Sequence, residues 1–125
     1  MLMLPPAVHI FLARKPADMR RSFDGLCALT REVIRGDPLS GNLFVFRNRR
    51  GEKLKVLYWD RSGLAIWYKT LEAGTFHWPH ADEDVVELSA ADLTLMLEGI
   101  DLSGARRHKR FVLPSNENIC RTMIQ

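Results

Sequence analysis

The sequence predicts an α+β fold: a mainly antiparallel, four- to five-stranded sheet laid out as a meander, with one long helix packed on a face and a short C-terminal helix. Three observations predict it. Apolar residues recur at helical spacing through residues 18–35, four short strand-like runs joined by turn residues fill 43–78, and a second helical stripe follows residue 89. The length of 125 residues, with 46% apolar and 26% charged, suits one domain able to bury a core without disulfides or metal. A large multidomain enzyme is excluded.

Val8, Ile10 and Leu12 alternate along a first short strand, residues 8–13. The long helix is expected over 18–35, with Asp18 as N-cap and a stripe through Met19, Phe23, Leu26, Cys27, Thr30, Val33 and Ile34. Gly36 and Pro38 supply its stop signal. Gly25 inside the helix costs about 1 kcal/mol relative to Ala, which leaves two readings. Either a backbone passes close to it, or the helix starts later with Ser22 as its cap. Residues 43–47 and 53–59 form a hairpin whose loop, Asn48 to Glu52, contains Gly51 for a left-handed position. Asp60 to Gly63 turns into a third meander strand over 64–70, and Ala73-Gly74 into a fourth over 75–78. Alternation places Lys53, Lys55, Leu57 and Trp59 on one face and Leu54, Val56 and Tyr58 on the other, so one face is partly basic and the other packs. A short strand over 85–88 precedes a helix over 90–98, capped by Ser89 with Asp92 three residues on, which closes an edge or end of the sheet. The single α+β domain is expected over 1–102, and a basic, loosely ordered tail over 103–125.

Cys27 and Cys120 stand far apart without a metal-binding or redox spacing, and Cys27 lies in an apolar stretch that suits a core position. Met1 to Leu4 is too short for a signal sequence, and no apolar run approaches the ~20 residues of a membrane span. The expectation is a soluble, cytoplasmic protein without membrane contact.

The net charge of +3 conceals a strong division. Residues 1–70 carry 13 Lys and Arg against 6 Asp and Glu, residues 71–105 carry 8 acidic and no basic residues, and residues 106–125 carry 5 basic and 1 acidic. A basic body attracts polyanions, whereas the acidic segment turns away from a phosphate backbone or towards a basic protein.

The hairpin 47–55 is the leading candidate for nucleic-acid contact. Arg47, Arg49, Arg50, Lys53 and Lys55 cluster there, a two-stranded ribbon fits a DNA groove, and arginine bonds phosphate bidentately. Trp59 and Trp67 offer stacking surfaces for unpaired bases. A solvated hairpin tip with core tryptophans accounts for the same residues equally well. Arg20 and Arg21 extend the patch, or else form a local ion pair with Asp18 at a helix cap. The cluster Arg106 to Arg110 reads as a basic arm. His77 and His80, followed by Asp82, Glu83 and Asp84, lack the tight ligand set of a zinc site. Asp60 reads as the first residue of a turn, and no hydrolase or nucleotide-binding motif is present. No catalytic residue, metal or cofactor is assigned.

Several ordered motifs are distinctive together: residues 18–26 (DMRRSFDGL), 43–51 (LFVFRNRRG), 55–60 (KVLYWD), then Gly63-Leu64, Lys69, Leu71-Glu72, Gly74, Phe76, Trp78-Pro79, and 97–101 (LEGID). Over about residues 7–101 the chain resembles the TnpB-type accessory proteins, also called Orf-two-like, of the insertion-sequence sixty-six family of bacterial transposable elements. The RNA-guided nucleases that share the TnpB label are far larger and are a different family. The resemblance implies a small protein encoded beside a separate transposase that assists DNA transposition, and it assigns no catalytic residue.

The resulting expectation is a non-catalytic accessory protein that binds the DNA of the element ends, the transposase, or both, and is nucleoid-associated when on DNA. The rival is a pure interaction module that holds the transposase without touching DNA. A third reading, a small Mg²⁺-dependent nuclease using Asp60, lacks the carboxylate cluster such chemistry needs.

Overall fold

Side-chain alternation along the strands sends apolar groups to both faces of the sheet, and both faces are covered by helices. A computed structural model describes residues 8–79 and 82–98. It contains strands β1 (Ile10–Ala13), β2 (Leu43–Arg47), β3 (Lys53–Asp60), β4 (Gly63–Thr70) and β5 (Val85–Leu88), with helices α1 (Phe23–Leu29) and α2 (Ala90–Leu97). The sheet order is β4-β3-β2-β1-β5. The tail expected over 103–125, with Arg106 to Arg110 and Cys120, lies outside the described residues, as does His80.

The fold is α+β with a mainly antiparallel five-stranded sheet, but that sheet is mixed, not one antiparallel meander. β1 pairs with β2 in parallel, Ile10 opposite Leu43 and Leu12 opposite Val45. The other three pairings are antiparallel. The cause is the connection: a chain that leaves β1, forms α1 and returns to the sheet beside β1 has made a crossover, the link that parallel strands require. The meander is confined to β2, β3 and β4. The fourth meander strand expected over 75–78 does not form. That segment instead passes the hairpin turn, donating from Phe76 N to Gly51 O at 2.7 Å. It buries the Phe76 ring and anchors the Trp78 indole N–H on the Ala13 carbonyl at 3.2 Å.

The expected long helix is short. α1 begins at Phe23, with Ser22 at the cap position but without a side-chain cap bond. After Leu29 the coil widens into a π-helical turn, Thr30–Ile34. Buried Thr30 donates its hydroxyl to the Leu26 carbonyl at 2.8 Å, competing with regular backbone pairing where the widening starts. What lies over Gly25 is a side chain: a Cβ there would stand 2.9 Å from the Arg21 Cβ. Asp18 caps no helix. It folds the preceding loop by accepting from Arg20 N at 2.9 Å.

One core joins Ile10, Leu12, Leu43, Val45, Leu54 and Val56 to the buried run of α2, Leu93 to Leu97. The other joins Phe44, Phe46 and Leu57 to Leu26, Cys27 and Ile34 beneath α1 and its π turn. The expected faces of β3 are therefore correct in membership, yet both of them pack. α2 lies on a sheet face instead of closing an edge. Its start follows β5, and its last carbonyl, on Leu97, accepts from Lys69 Nζ of β4 at 2.8 Å. The Ser89 hydroxyl caps it, accepting from Asp92 N at 3.0 Å.

Candidate nucleic-acid interface

The β2–β3 hairpin is shaped by its own side chains. The Asn48 carboxamide oxygen accepts from Glu52 N and Lys53 N, each at 3.0 Å. Gly51 takes φ 76°, a left-handed position that favours glycine, and donates to the Asn48 carbonyl at 3.1 Å. This lifts Arg49 and Arg50 onto an exposed tip. The Arg50 side chain is 81% exposed, with Nε 3.8 Å from a Glu52 carboxylate oxygen, and Lys53 is half-buried at the start of β3.

The loop between β1 and α1 crosses beside that tip, held by Ala17 N donating to the Arg47 carbonyl at 2.8 Å. Between them lies a depression of about 440 Å³, lined by residues 16–19 and by Asn48, Arg49 and Arg50. On its loop side Arg20 grips Asp18: Nη2 and Nε reach the carboxylate at 2.8 and 3.1 Å. Those bonds, with the backbone bond from Arg20, hold the Asp18 carboxyl down at about 2. The Arg20 side chain remains 91% exposed, and Arg21 is exposed beside it. Arg49 and Arg50 thus give the depression a basic rim on its hairpin side, while Asp18, paired to Arg20, lines its loop side.

Two of the seven sequence-selected residues face inward. Lys55 is 9% exposed, and its ammonium donates to the Met19 and Arg21 carbonyls at 2.8 and 2.9 Å. Arg47 donates to the Arg14 carbonyl at 2.8 Å and sits 5.2 Å from the centre of the Trp78 ring. Burial makes its guanidinium easier to deprotonate than usual. With Lys69 on the end of α2, these three cations tie sheet strands to backbone carbonyls of the surrounding loops and helix. They leave Arg49, Arg50, Lys53, Arg20 and Arg21 as the members of the set with side chains at or near the surface.

The expected stacking tryptophans are half-buried. Trp67 and Trp78 pack against the α2-side core, and Trp59 is also only partly accessible. Among the described residues, the exposed Phe, Tyr and Trp rings are Tyr68, 48% exposed, and Phe23, 42% exposed. Alternation in β4 puts Tyr68 on the α1 side of the sheet opposite Lys55, a register that the sequence signal could have supplied once β3 and β4 were paired. Asp60 stands at the tight β3–β4 turn, its carbonyl accepting from Ser62 N. His9 pairs with Glu87 at 2.8 Å. Among the described residues no group of three or more His, Cys, Asp or Glu side chains is arranged to hold a metal ion, and no helix is long and apolar enough to cross a membrane. Cys27 is buried under α1, where desolvation pushes its thiol upward.

The acidic segment leads into the β5 edge at the same end of the sheet as the hairpin tip, since Ala13 of β1 stands opposite Val85 and Arg14 N, at the start of the β1–α1 loop, donates to the Asp84 carbonyl at 2.8 Å. Asp82, Glu83 and Asp84 precede edge strand β5, which carries exposed Glu87. Arg14 at the end of β1 binds Asp84 at 3.1 Å.

Comparison with known proteins is consistent along the chain. The profile of one protein family, described as "IS66 Orf2 like protein", matches residues 8–107. The chain is 42% identical over 101 residues to the uncharacterized protein y4hO of Sinorhizobium fredii, covering 79% of this chain and 88% of that protein. It is 35% identical over 100 residues to the uncharacterized protein y4jC of the same organism, covering 80% of this chain and 86% of that protein. No solved structure matches.

Proposed function

We propose, from the premise that this chain belongs to the IS66 Orf2-like family of transposition-associated accessory proteins, that it works without catalysis by binding the DNA of its element at the basic rim. The observation that supports this reading is the depression between the exposed Arg49–Arg50 tip and loop residues 16–19, with exposed Arg20 and Arg21 following directly in the chain. Arg49 and Arg50 contact phosphates, Lys53, Arg20 and Arg21 extend the path, and Arg47 and Lys55 hold the loop that carries it. The separate transposase is the protein partner, met at the acidic edge, where exposed Asp82, Glu83 and Glu87 suit a basic surface.

The test is a mobility shift of the purified full chain on element-end duplex across a salt series, beside an Arg49→Glu/Arg50→Glu variant. The parent is expected to bind at low salt. The variant is expected to bind more weakly, with a log–log salt slope smaller by about 1 for each phosphate it no longer neutralises. Equal binding by parent and variant at equal salt refutes the hairpin as the contact. No shift by the parent at low salt refutes DNA binding and favours a module that holds the transposase alone.

A further inference from the structure

An exposed aromatic ring, Tyr68, stands on the α1 side of β4. Tyr68 lies on an outermost strand of the sheet, directly opposite Lys55 in the β3–β4 register. The Lys55 ammonium sits 4.8 Å from the Tyr68 ring centre. That ammonium cannot swing away cheaply, because two loop carbonyls hold it at 2.8 and 2.9 Å. The cation therefore occupies the β3-facing side of the ring and fixes its orientation. Tyr68 nonetheless remains 48% exposed on this edge strand.

The surroundings are cationic and aromatic. Lys55 also binds the Arg21 carbonyl, so the segment that carries exposed Arg20, Arg21 and, at the start of α1, exposed Phe23 runs close to Tyr68. Lys53, two residues before Lys55, shares its face of β3. A half-exposed ring backed by a held lysine, on a surface that carries further exposed cations, is the arrangement that takes a nucleobase on the ring and the adjoining phosphates on the cations. A base inside duplex DNA cannot reach such a ring without leaving its stack.

We infer that Tyr68, with Arg20, Arg21 and Lys53 as phosphate contacts, is a stacking site for an unpaired strand of DNA. The inference rests on the reading that the basic rim meets DNA, and deepens it by assigning the α1 side of β4 to single-stranded substrate. The Arg49–Arg50 tip meets duplex, while the Tyr68 surface takes bases that are unpaired.

The test measures fluorescence anisotropy of labelled oligo(dT) and of a duplex of equal length, at one salt concentration, with the full chain and its Tyr68→Leu and Tyr68→Phe variants. Leucine keeps apolar bulk without a π face, so single-strand affinity is expected to fall roughly 5- to 100-fold. Duplex affinity is expected to stay within about twofold, and phenylalanine to retain single-strand affinity, since stacking needs the ring alone. A second measurement on the unmodified chain guards against a misfolded leucine variant: the Tyr68 ring protons are expected to shift upfield as oligo(dT) is added. Unchanged single-strand binding by Tyr68→Leu, equal losses on both DNAs, or no ring shift each overturn the site. Displacement of oligo(dT) by poly-glutamate, with no ring shift on adding the oligonucleotide, overturns it in favour of an acidic protein ligand. If the parent binds duplex but not oligo(dT), the stacking site falls while the duplex reading stands; if it binds neither, both fall.

Discussion

Asp18 shows how a surface carboxylate is drawn from its ordinary behaviour by one neighbour. It is exposed, and the Arg20 side-chain and backbone bonds outweigh the opposing desolvation. Its folded value of about 2 lies below the ordinary 3.8. Any stability it contributes is therefore present above pH 3.8 and is lost as the pH falls through about 2. Solvent screening keeps that contribution small at this exposed site. Carboxyl-carbon NMR is expected to give an Asp18 midpoint near 2, rising towards 3.8 in Arg20→Ala. A midpoint unmoved by that substitution would sink the explanation. The basic residues divide on the same principle. A cation that finds backbone carbonyls, as Lys55 and Lys69 do, becomes a structural tether, whereas one held at a hairpin tip, such as Arg49, stays available to a ligand.

At the level of elements, the end of the α1 region contains a trade between two neighbours. The π turn closes with Arg35 in the left-handed region, at φ 65°, its N–H donating to the Thr30 carbonyl. Gly36 also donates there, at 3.1 Å. The sequence pattern assigns the stop to Gly36, and a stop does occur, but the left-handed residue is Arg35. Gly36 is required for space. A Cβ at that position would stand 2.6 Å from Cε1 of Phe44, a fully buried ring in the α1-side core. Gly36→Ala is accordingly expected to destabilise the protein by about 1–3 kcal/mol, because a filled core yields only through strain. Urea unfolding measures it, and a midpoint equal to the parent's would show that Phe44 moves freely.

For the whole molecule, the parallel β1–β2 pair makes an early strand a central one. β1 is bonded on both sides, by β2 and β5, so its amides depend on the entire sheet. Hydrogen exchange is expected to place the Ile10–Ala13 amides among the slowest in the protein, opening with global unfolding, while outward-facing amides of β4 exchange earlier. Fast exchange throughout β1 would contradict the observed strand order. The same order sets the two edge strands apart. The acidic β5 edge and the Tyr68-bearing β4 edge lie at opposite sides of the sheet, with the Arg49–Arg50 turn between β2 and β3.

The local sequence determined much of this: the five strand segments, the Asn48–Gly51 turn, the Ser89 cap, the alternating faces of β3 and the exposed Arg49–Arg50 tip. Periodicity and turn chemistry act between residues a few positions apart and need no distant partner. The ordered motifs also determined the family, through the match over residues 8–107. Only the tertiary structure decided that β1 runs parallel to β2, that residues 75–78 anchor beside the hairpin instead of extending the meander, and that α2 lies across a face. It also turned Arg47 and Lys55 inward and left the rings of Tyr68 and Phe23 exposed. The physical reason is that a side chain's period states which face it serves, while its burial depends on what the rest of the chain lays over that face.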